Sequence, residues 1–227
     1  MKRSPRLKGL IQTLRGQHGE VSPPPAKGAF QLVVWEKVAY LATDDRRESA
    51  FRRLARDVGL TPKAVLAAKR SAVIDALASG GIEAPERANN LIAAAEIAAA
   101  DFHGSLDAAC ALPIPEAMRA LKRIRGIADP GAEKILLLTR SYPVLGVDSN
   151  GLRVLTRLGY GVAAKTYGAT YKSATTAALA ELGTDIDVVT EAHLLLRRHG
   201  QAICKSTTPK CGACSIRAKC PSALRTT

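Results

Sequence analysis

The segment CKSTTPKCGACSIRAKC (204–220) contains four of the five cysteines of this 227-residue chain. Six, two and five residues separate Cys204, Cys211, Cys214 and Cys220 in turn. Four thiolates on one short loop can surround a single compact metal centre, either zinc or an iron–sulfur cluster. Zinc sites usually combine two Cys-x2-Cys pairs, whereas only Cys211 and Cys214 form such a pair here. The spacing therefore favours a [4Fe–4S] cluster and leaves a zinc-stapled domain as the alternative.

The composition predicts a mainly helical protein with an anionic partner. Hydrophobic residues make up 47% of the chain, aromatic residues only 4%, and the net charge is +13. Long Ala- and Leu-rich runs favour helices, and the charge favours nucleic acid or an acidic membrane surface, although a plain basic surface would also explain it. No apolar run reaches the ~18 residues of a membrane span, and the basic N-terminus does not resemble a signal peptide. We therefore expect a cytoplasmic, nucleoid-associated protein, in whose reducing environment clustered cysteines usually bind metal.

Several segments have the apolar pattern of helices. The pattern predicts helices over 5–16, 29–43 and 60–79, and a helical continuation from 162 to 200 into the cysteine loop. Thr61 stands where an N-cap would open the third of these. Cys110 lies outside the cysteine loop, and its apolar surroundings predict an ordinary buried cysteine.

The segment LKRIRGIADPGAEKILLLTRSYPVLGVDSNGLRVLTRLGYG (121–161) predicts a helix, a tight turn at Gly126 and a second helix. Backbone N–H groups at the start of the second helix could bind a phosphate without reading a base. Many unrelated helix pairs share this pattern. Asp148 follows at the start of a further helix, where local sequence alone favours an N-cap.

Taken together, the cysteine spacing, the preceding HLLLRRHGQAIC (193–204) and the hairpin followed by Asp148 resemble the endonuclease III family of helix–hairpin–helix DNA glycosylases. The resemblance implies an all-α, two-lobed fold. One lobe would be a helical barrel over 22–142 that includes the hairpin at about 115–140. The other would combine 1–21 with 143–227 and hold the [4Fe–4S] cluster, with the active cleft between the two.

The same resemblance implies that Asp148 is the catalytic aspartate, which would stabilise positive charge on the deoxyribose as the base departs. Bifunctional members of the family carry a hairpin lysine that forms a Schiff base with the sugar. Pro130 occupies that position here, and proline has no nucleophile. The chain is therefore expected to be monofunctional. Lys134, one helical turn further on, is the alternative nucleophile, or else a solvated side chain.

The segment FQLVVWEKVAYLATDD (30–45) resembles the adenine-glycosylase branch of the family, in which a glutamate at the position of Glu36 protonates the leaving base. Burial would keep such a glutamate protonated, whereas a surface pairing with lysine is the ordinary alternative. Leu41 takes the position of a residue that wedges into the duplex. Trp35 and Tyr40 would either line the base pocket or belong to the core.

The resemblance also implies the contacts with DNA. Gly126, Ala128 and Gly131 of the hairpin and the loop lysines Lys205 and Lys210 would contact phosphates. The expected protein is a monomeric, monofunctional DNA glycosylase of base excision repair that acts on double-stranded DNA with a damaged or mismatched base. A bifunctional lyase and a non-catalytic DNA-binding protein of the same fold remain the alternatives.

Overall fold

A computed structural model describes residues 7–224 of the chain. The all-α prediction is confirmed, because the described residues form helices and no β-strand, with one isolated bridge between Tyr40 and Gly81. The chain divides into two compact units. One is Pro24–Ser141, and the other contributes its described residues from 7–23 and 142–224. No helix in the described part of the chain is long and apolar enough to cross a membrane.

The α-helices are as follows, in chain order: α1 Leu7–His18, α2 Gly28–Lys37, α3 Asp44–Asp57, α4 Pro62–Ala67, α5 Arg70–Leu77, α6 Ala84–Asp101, α7 Asp107–Cys110, α8 Ile114–Lys122, α9 Asp129–Leu138, α10 Ser149–Arg157, α11 Tyr167–Leu182, α12 Ile186–Ala202 and α13 Pro221–Leu224. Short 3₁₀ turns cover Ala78–Gly80 and two stretches of the cysteine loop. The predicted helix over 5–16 begins at residues outside the described part, and α1 follows it from Leu7.

Three predicted helices are shorter in the structure than the apolar pattern indicated. The helix predicted to end at 43 stops at Lys37, because the chain turns through the left-handed conformation of Leu41 (φ 49°) before α3 begins. The helix predicted over 60–79 starts at Pro62 with the predicted Thr61 cap but breaks at Ala68, which is extended. Between 162 and 200 the chain forms two helices, separated at Gly183 (φ 78°). Apolar periodicity records burial and does not show where the backbone must turn.

In the unit Pro24–Ser141, α2 is the central helix, and most of its side chains are buried. Four alanines of α6 are fully buried, and their small side chains let α6 lie close against its neighbours. This packing places the polar residues at the C-terminal end of α2 beside the hairpin formed by α8 and α9.

In the other unit, α10 and α12 cross in close contact. A Cβ at Gly200 would lie 2.6 Å from the carbonyl oxygen of Asn150, so only glycine allows this approach. Arg153 holds the crossing from the α10 side, donating to the carbonyl oxygens of Gly200 and Cys204 at 2.8 Å each. The crossing brings the start of α10 beside the end of α12 and the entry to the cysteine loop.

Candidate active site and cysteine loop

Asp148 is held at the N-terminus of α10 by donors from three residues. Its Oδ1 accepts the backbone N–H of Gly151 at 2.9 Å, which is the N-cap bond that local sequence favoured. Its Oδ2 accepts from Asn150 at 3.1 Å and lies 3.4 Å from Nε of Arg197 on α12. Contacts of this kind hold the carboxyl group in one fixed orientation. Arg197 is a neighbour that sequence reasoning missed, because it lies 49 residues further along the chain.

Tyr167, at the start of α11, is a second neighbour that sequence reasoning missed. Burial, and next the negative charge of Asp148, raise the pKa of its phenol. Its ring stacks on that of Tyr171, with 6.2 Å between ring centroids, although Tyr167 itself is largely exposed. The structure thus provides a neutral phenol and a cationic guanidinium around one carboxylate.

Glu36 forms an ion pair with Lys134, with 2.6 Å between Oε2 and Nζ. The side chains are 26% and 14% exposed respectively. The prediction of a solvated Lys134 is wrong, because α9 turns this side chain inward towards α2. The Glu36 environment also differs from the expected apolar one. A neighbouring ammonium favours the carboxylate over the neutral acid.

Lys37, next to Glu36, is a buried lysine beneath the hairpin turn. Its residue is only 6% exposed, and its Nζ donates to the carbonyl oxygen of Arg125 at 2.6 Å. Burial lowers the pKa of Lys37, and the charge of Glu36 partly offsets this. Gly126 has a φ of 74°, and a Cβ there would lie 2.5 Å from Nζ of Lys37. Glycine at 126 is therefore favoured by the left-handed turn, and a Cβ there would also force the Lys37 side chain to shift.

The start of α9 is the part of the hairpin that the sequence predicted to bind a phosphate. Ala128, the N-cap residue, is exposed, and no side chain caps the helix there. Pro130 lies in the first turn, where its missing N–H removes no helical bond. Asp129 is paired with Lys122, with 2.5 Å between the charged atoms. Gly131 is buried, and a Cβ there would approach Ile127 to 3.3 Å, which gives this glycine a packing role.

The segment after α2 presents apolar side chains to solvent. Leu41 is 76% exposed and Tyr40 is 49% exposed. Ile82, which follows the bridged Gly81, is 51% exposed, and sequence reasoning missed it. Trp35 instead packs edge-on against Phe51, with 5.5 Å between ring centroids. Of the two aromatic residues suggested for a base pocket, Trp35 has a packing role and Tyr40 is open to solvent.

All four loop cysteines, Cys204, Cys211, Cys214 and Cys220, line one cavity of about 160 Å³. Burial raises the pKa of Cys214, and the charges of the other three cysteines contribute to the shift. The rest of the wall is largely apolar and includes Val154, Leu158, Ile203 and Ile216. Within residues 7–224, no three cysteine, histidine or acidic side chains are arranged to hold a single metal ion. In a [4Fe–4S] cluster each thiolate binds a different iron, and the cysteine-lined cavity is compatible with that arrangement.

Two side chains contact the cysteine sulfurs, and of these Arg157 is a hydrogen-bond donor. Arg157 lies 3.3 Å from Sγ of Cys204 and also binds the carbonyl oxygens of the next two residues. Nε2 of His199 lies 3.5 Å from Sγ of Cys214, and its Nδ1 lies 3.0 Å from His18. Burial, and next the proximity of His18, lower the pKa of His199 to about 4. A positive guanidinium and a polar imidazole thus stand where anionic thiolates need compensation.

The two loop lysines are on the surface. Lys205 and Lys210 are both exposed. By contrast, Cys110 is buried in α7, where burial raises the pKa of its thiol to about 11. Cys110 is thus an inert core residue, as its apolar surroundings predicted.

Comparison with known proteins links these features to one group. No family model matches the chain. Endonuclease III of Sulfolobus acidocaldarius is 27% identical over 196 residues, which cover 86% of this chain and 82% of the relative. Endonuclease III homolog 2, chloroplastic, of Arabidopsis thaliana is 24% identical over 205 residues, which cover 90% of this chain and 51% of that protein.

Solved structures show the same fold. A non-covalent endonuclease III–DNA complex superposes with a TM-score of 0.80 at 15% identity, over 100% of this chain and 99% of that one. A thermostable thymine-DNA glycosylase superposes with a TM-score of 0.74 at 16% identity, over 97% of each chain. The 3-methyladenine DNA glycosylase MagIII of H. pylori superposes with a TM-score of 0.69 at 14% identity, over 87% of this chain and 98% of the other. That structure contains 1,N6-ethenoadenine.

The fold is that of one class of solved structures, the helix–hairpin–helix DNA glycosylases, and the sequence relatives are endonucleases III. Within that class the chain is endonuclease III-like, as the cysteine spacing and the hairpin predicted.

Proposed function

We propose that this chain is a DNA glycosylase of base excision repair, acting as a monomer on double-stranded DNA. It hydrolyses the N-glycosidic bond of a damaged or mismatched base and leaves an abasic site. The observation that carries the proposal is Asp148, an anion fixed by Gly151, Asn150 and Arg197 at a helix start in an endonuclease III-like chain.

The role proposed for Asp148 is electrostatic. As the glycosidic bond breaks, positive charge develops on the sugar, and a fixed carboxylate stabilises it without reorganisation. Its contacts with Gly151, Asn150 and Arg197 hold it in one orientation, so it need not rearrange as that charge develops. Water then completes the hydrolysis at C1′.

Glu36 is the proposed proton donor to the departing base. Its pairing with Lys134 favours the carboxylate. Before Glu36 can serve as an acid, an inserted base must displace the ammonium and the carboxylate must take up a proton from solvent, which it then gives to the departing base. On this proposal Lys134 restrains Glu36 and is not the nucleophile. An ammonium in an ion pair has no lone pair with which to attack a sugar.

The two assignments of Lys134 give opposite results in one experiment. The wild-type protein should release a free base from a lesion-containing duplex and leave the strand intact until alkali is added. Borohydride should trap no protein–DNA adduct, and Lys134→Met should still release the base. A trapped adduct that disappears in Lys134→Met would instead establish a bifunctional enzyme. Wild-type protein that binds DNA but releases no base from any lesion would support the non-catalytic alternative.

We further propose that Cys204, Cys211, Cys214 and Cys220 hold a [4Fe–4S] cluster. The cavity that they line supports this, as does the guanidinium of Arg157 beside Cys204. The cluster would supply a rigid support for the loop that carries the exposed lysines Lys205 and Lys210.

Absorption and metal analysis test the cluster proposal. The purified protein should be yellow-brown, with broad absorption at about 400 nm, as is usual for thiolate-bound iron–sulfur centres. Cys214→Ser should lose this absorption, whereas Cys110→Ser, the matched control, should keep it. Colourless protein with stoichiometric zinc would contradict the proposal.

A further inference from the structure

Two exposed apolar side chains follow one backbone bridge. Tyr40 and Gly81 pair in parallel, so Leu41 and Ile82 are the next residues on neighbouring segments. They are 76% and 51% exposed. Leu41 also has a φ of 49°, a conformation that a leucine holds only when its surroundings fix it. Something must therefore hold both segments in place.

The two segments touch through their backbones. The N–H of Tyr40 donates to the carbonyl oxygen of Gly80 at 2.9 Å. A Cβ at Gly80 would collide with the carbonyl oxygen of Val38, and one at Gly81 would collide with that of Tyr40. Because no side chain fits between the segments, their relative position depends on backbone hydrogen bonds and on whatever else binds their carbonyl groups.

Arg87, near the start of α6, binds both segments at once. Its Nη1 donates to the carbonyl oxygen of Val38 at 2.6 Å, ahead of Leu41 on the first segment. Its Nε donates to the carbonyl oxygen of Ile82 at 2.9 Å, and its Nη2 donates to that of Gly81 at 3.2 Å, on the second segment. Nη2 also donates to Leu77, which ends α5, at 3.0 Å.

The guanidinium suits this task for two reasons. It is rigid and planar and has five donors, so one side chain can reach both segments in a fixed geometry. Its residue is only 5% exposed, and carbonyl oxygens accept all four of its hydrogen bonds. Burial lowers the pKa of Arg87, yet an arginine in a protein keeps its proton.

We propose that Arg87 is a positioning residue that fixes Leu41 and Ile82 as one two-pronged apolar element, which fills the duplex when the target nucleotide leaves the stack. This inference rests on the proposed function. An enzyme that extrudes a nucleotide must offset the lost stacking, and inserted apolar side chains do so. When the two side chains are already held at a fixed separation, they can fill the gap without the entropy loss of ordering two loops on binding.

The test compares Arg87→Met and Arg87→Lys with Arg70→Met. Arg70 is the matched control, since it is an exposed arginine at the start of α5 whose side chain bonds to Asn89 of α6 at 2.8 Å and to neither of the two segments. Stopped-flow fluorescence of 2-aminopurine beside the target base reports extrusion. Arg87→Met should slow extrusion about tenfold or more, because small misplacements of positioned groups have effects of this size. Arg87→Lys keeps the charge but loses the planar guanidinium with its several donors, so its extrusion rate should lie between those of the wild type and Arg87→Met. Arg70→Met should extrude the nucleotide at the wild-type rate.

Amide hydrogen exchange provides the readout that does not depend on DNA. In Arg87→Met, exchange at residues 40–42 and 81–83 should accelerate together, while that of the α8–α9 hairpin stays unchanged. Wild-type extrusion by a folded Arg87→Met protein, or equal acceleration throughout the unit Pro24–Ser141, would overturn the proposal. If Arg87→Met does not fold, the same comparison is made with Arg87→Lys. A wild-type protein that extrudes the nucleotide but never releases a base would refute the proposed function and leave this inference standing.

Discussion

The carboxylates of Asp148 and Glu36 are both bound by a cation, yet they are held in different ways. Asp148 accepts a backbone N–H and an amide within its own helix start, in addition to the guanidinium of Arg197. Glu36 has an ammonium at the end of a flexible chain, that of Lys134. Backbone donors cannot move away, whereas a lysine side chain can. The difference indicates a fixed carboxyl group at Asp148 and an adjustable one at Glu36.

The largest expected effect is that of Asp148→Asn. The amide oxygen can still accept the Gly151 N–H, so the fold should persist, but the charge is lost. Base release in single-turnover assays should fall on the order of 100-fold or more, with DNA binding retained. Ser149→Ala, at the next position, is the control. A variant that releases base at the wild-type rate would remove Asp148 from the mechanism.

Glu36→Gln sharpens the contrast between the two carboxylates. Loss of a proton donor should slow release of a neutral base by ~100-fold, within the usual range for general acids. A cationic alkylated purine needs less acid assistance, so its release should change only a fewfold. The two substrates are compared with the same protein preparation. Equal losses on both would mean that Glu36 acts through structure or binding and not as an acid.

Lys37→Met tests the buried ammonium beneath the hairpin turn. Because Lys37 lies under Gly126, its loss should weaken binding of damaged and undamaged duplexes alike, by roughly threefold to tenfold. Fluorescence anisotropy titrations measure the dissociation constants for the damaged and the undamaged duplex. A loss confined to the damaged duplex would place Lys37 in lesion recognition instead.

The same variant makes a prediction about pH. Burial lowers the pKa of Lys37 below its ordinary value of 10.5, so above the lowered value the unfolded chain holds a proton that the folded chain has released. The contribution of Lys37 to the free energy of unfolding therefore rises with pH up to about 10.5. In Lys37→Met this rise should be absent. Denaturant unfolding of both proteins between pH 7 and 10.5 gives the difference, and parallel curves would contradict the prediction.

The smallest expected effect is that of Lys210→Ala. An exposed lysine that contacts one phosphate should change affinity a fewfold on every duplex and reduce the salt slope by about one. Lys63→Ala, at an exposed lysine of α4, is the matched control. An unchanged salt slope would remove Lys210 from the DNA contact.

Sequence reasoning succeeded where a feature depends on neighbouring residues. Three such features depend only on residues a few positions apart: the cysteine spacing, the Thr61 cap and the Asp148 cap. In the structure, the four loop cysteines line one cavity, and both caps are formed. It was less successful at helix ends. The apolar run after Gly28 gives no sign that α2 stops at Lys37, because the turn at Leu41 is fixed by contacts with the distant segment around Gly81.

The sequence by itself determined the helical class, the four clustered thiols and the two carboxylates worth testing. Only the tertiary structure decided what those groups touch. Lys134 reaches Glu36 across 98 positions, and Lys37 reaches the hairpin across 88. Arg87 reaches the segment before Leu41 across 49. Local patterns report on capping and periodicity, whereas ion pairs and buried donors arise only when packing brings distant helices together, and no single segment encodes that.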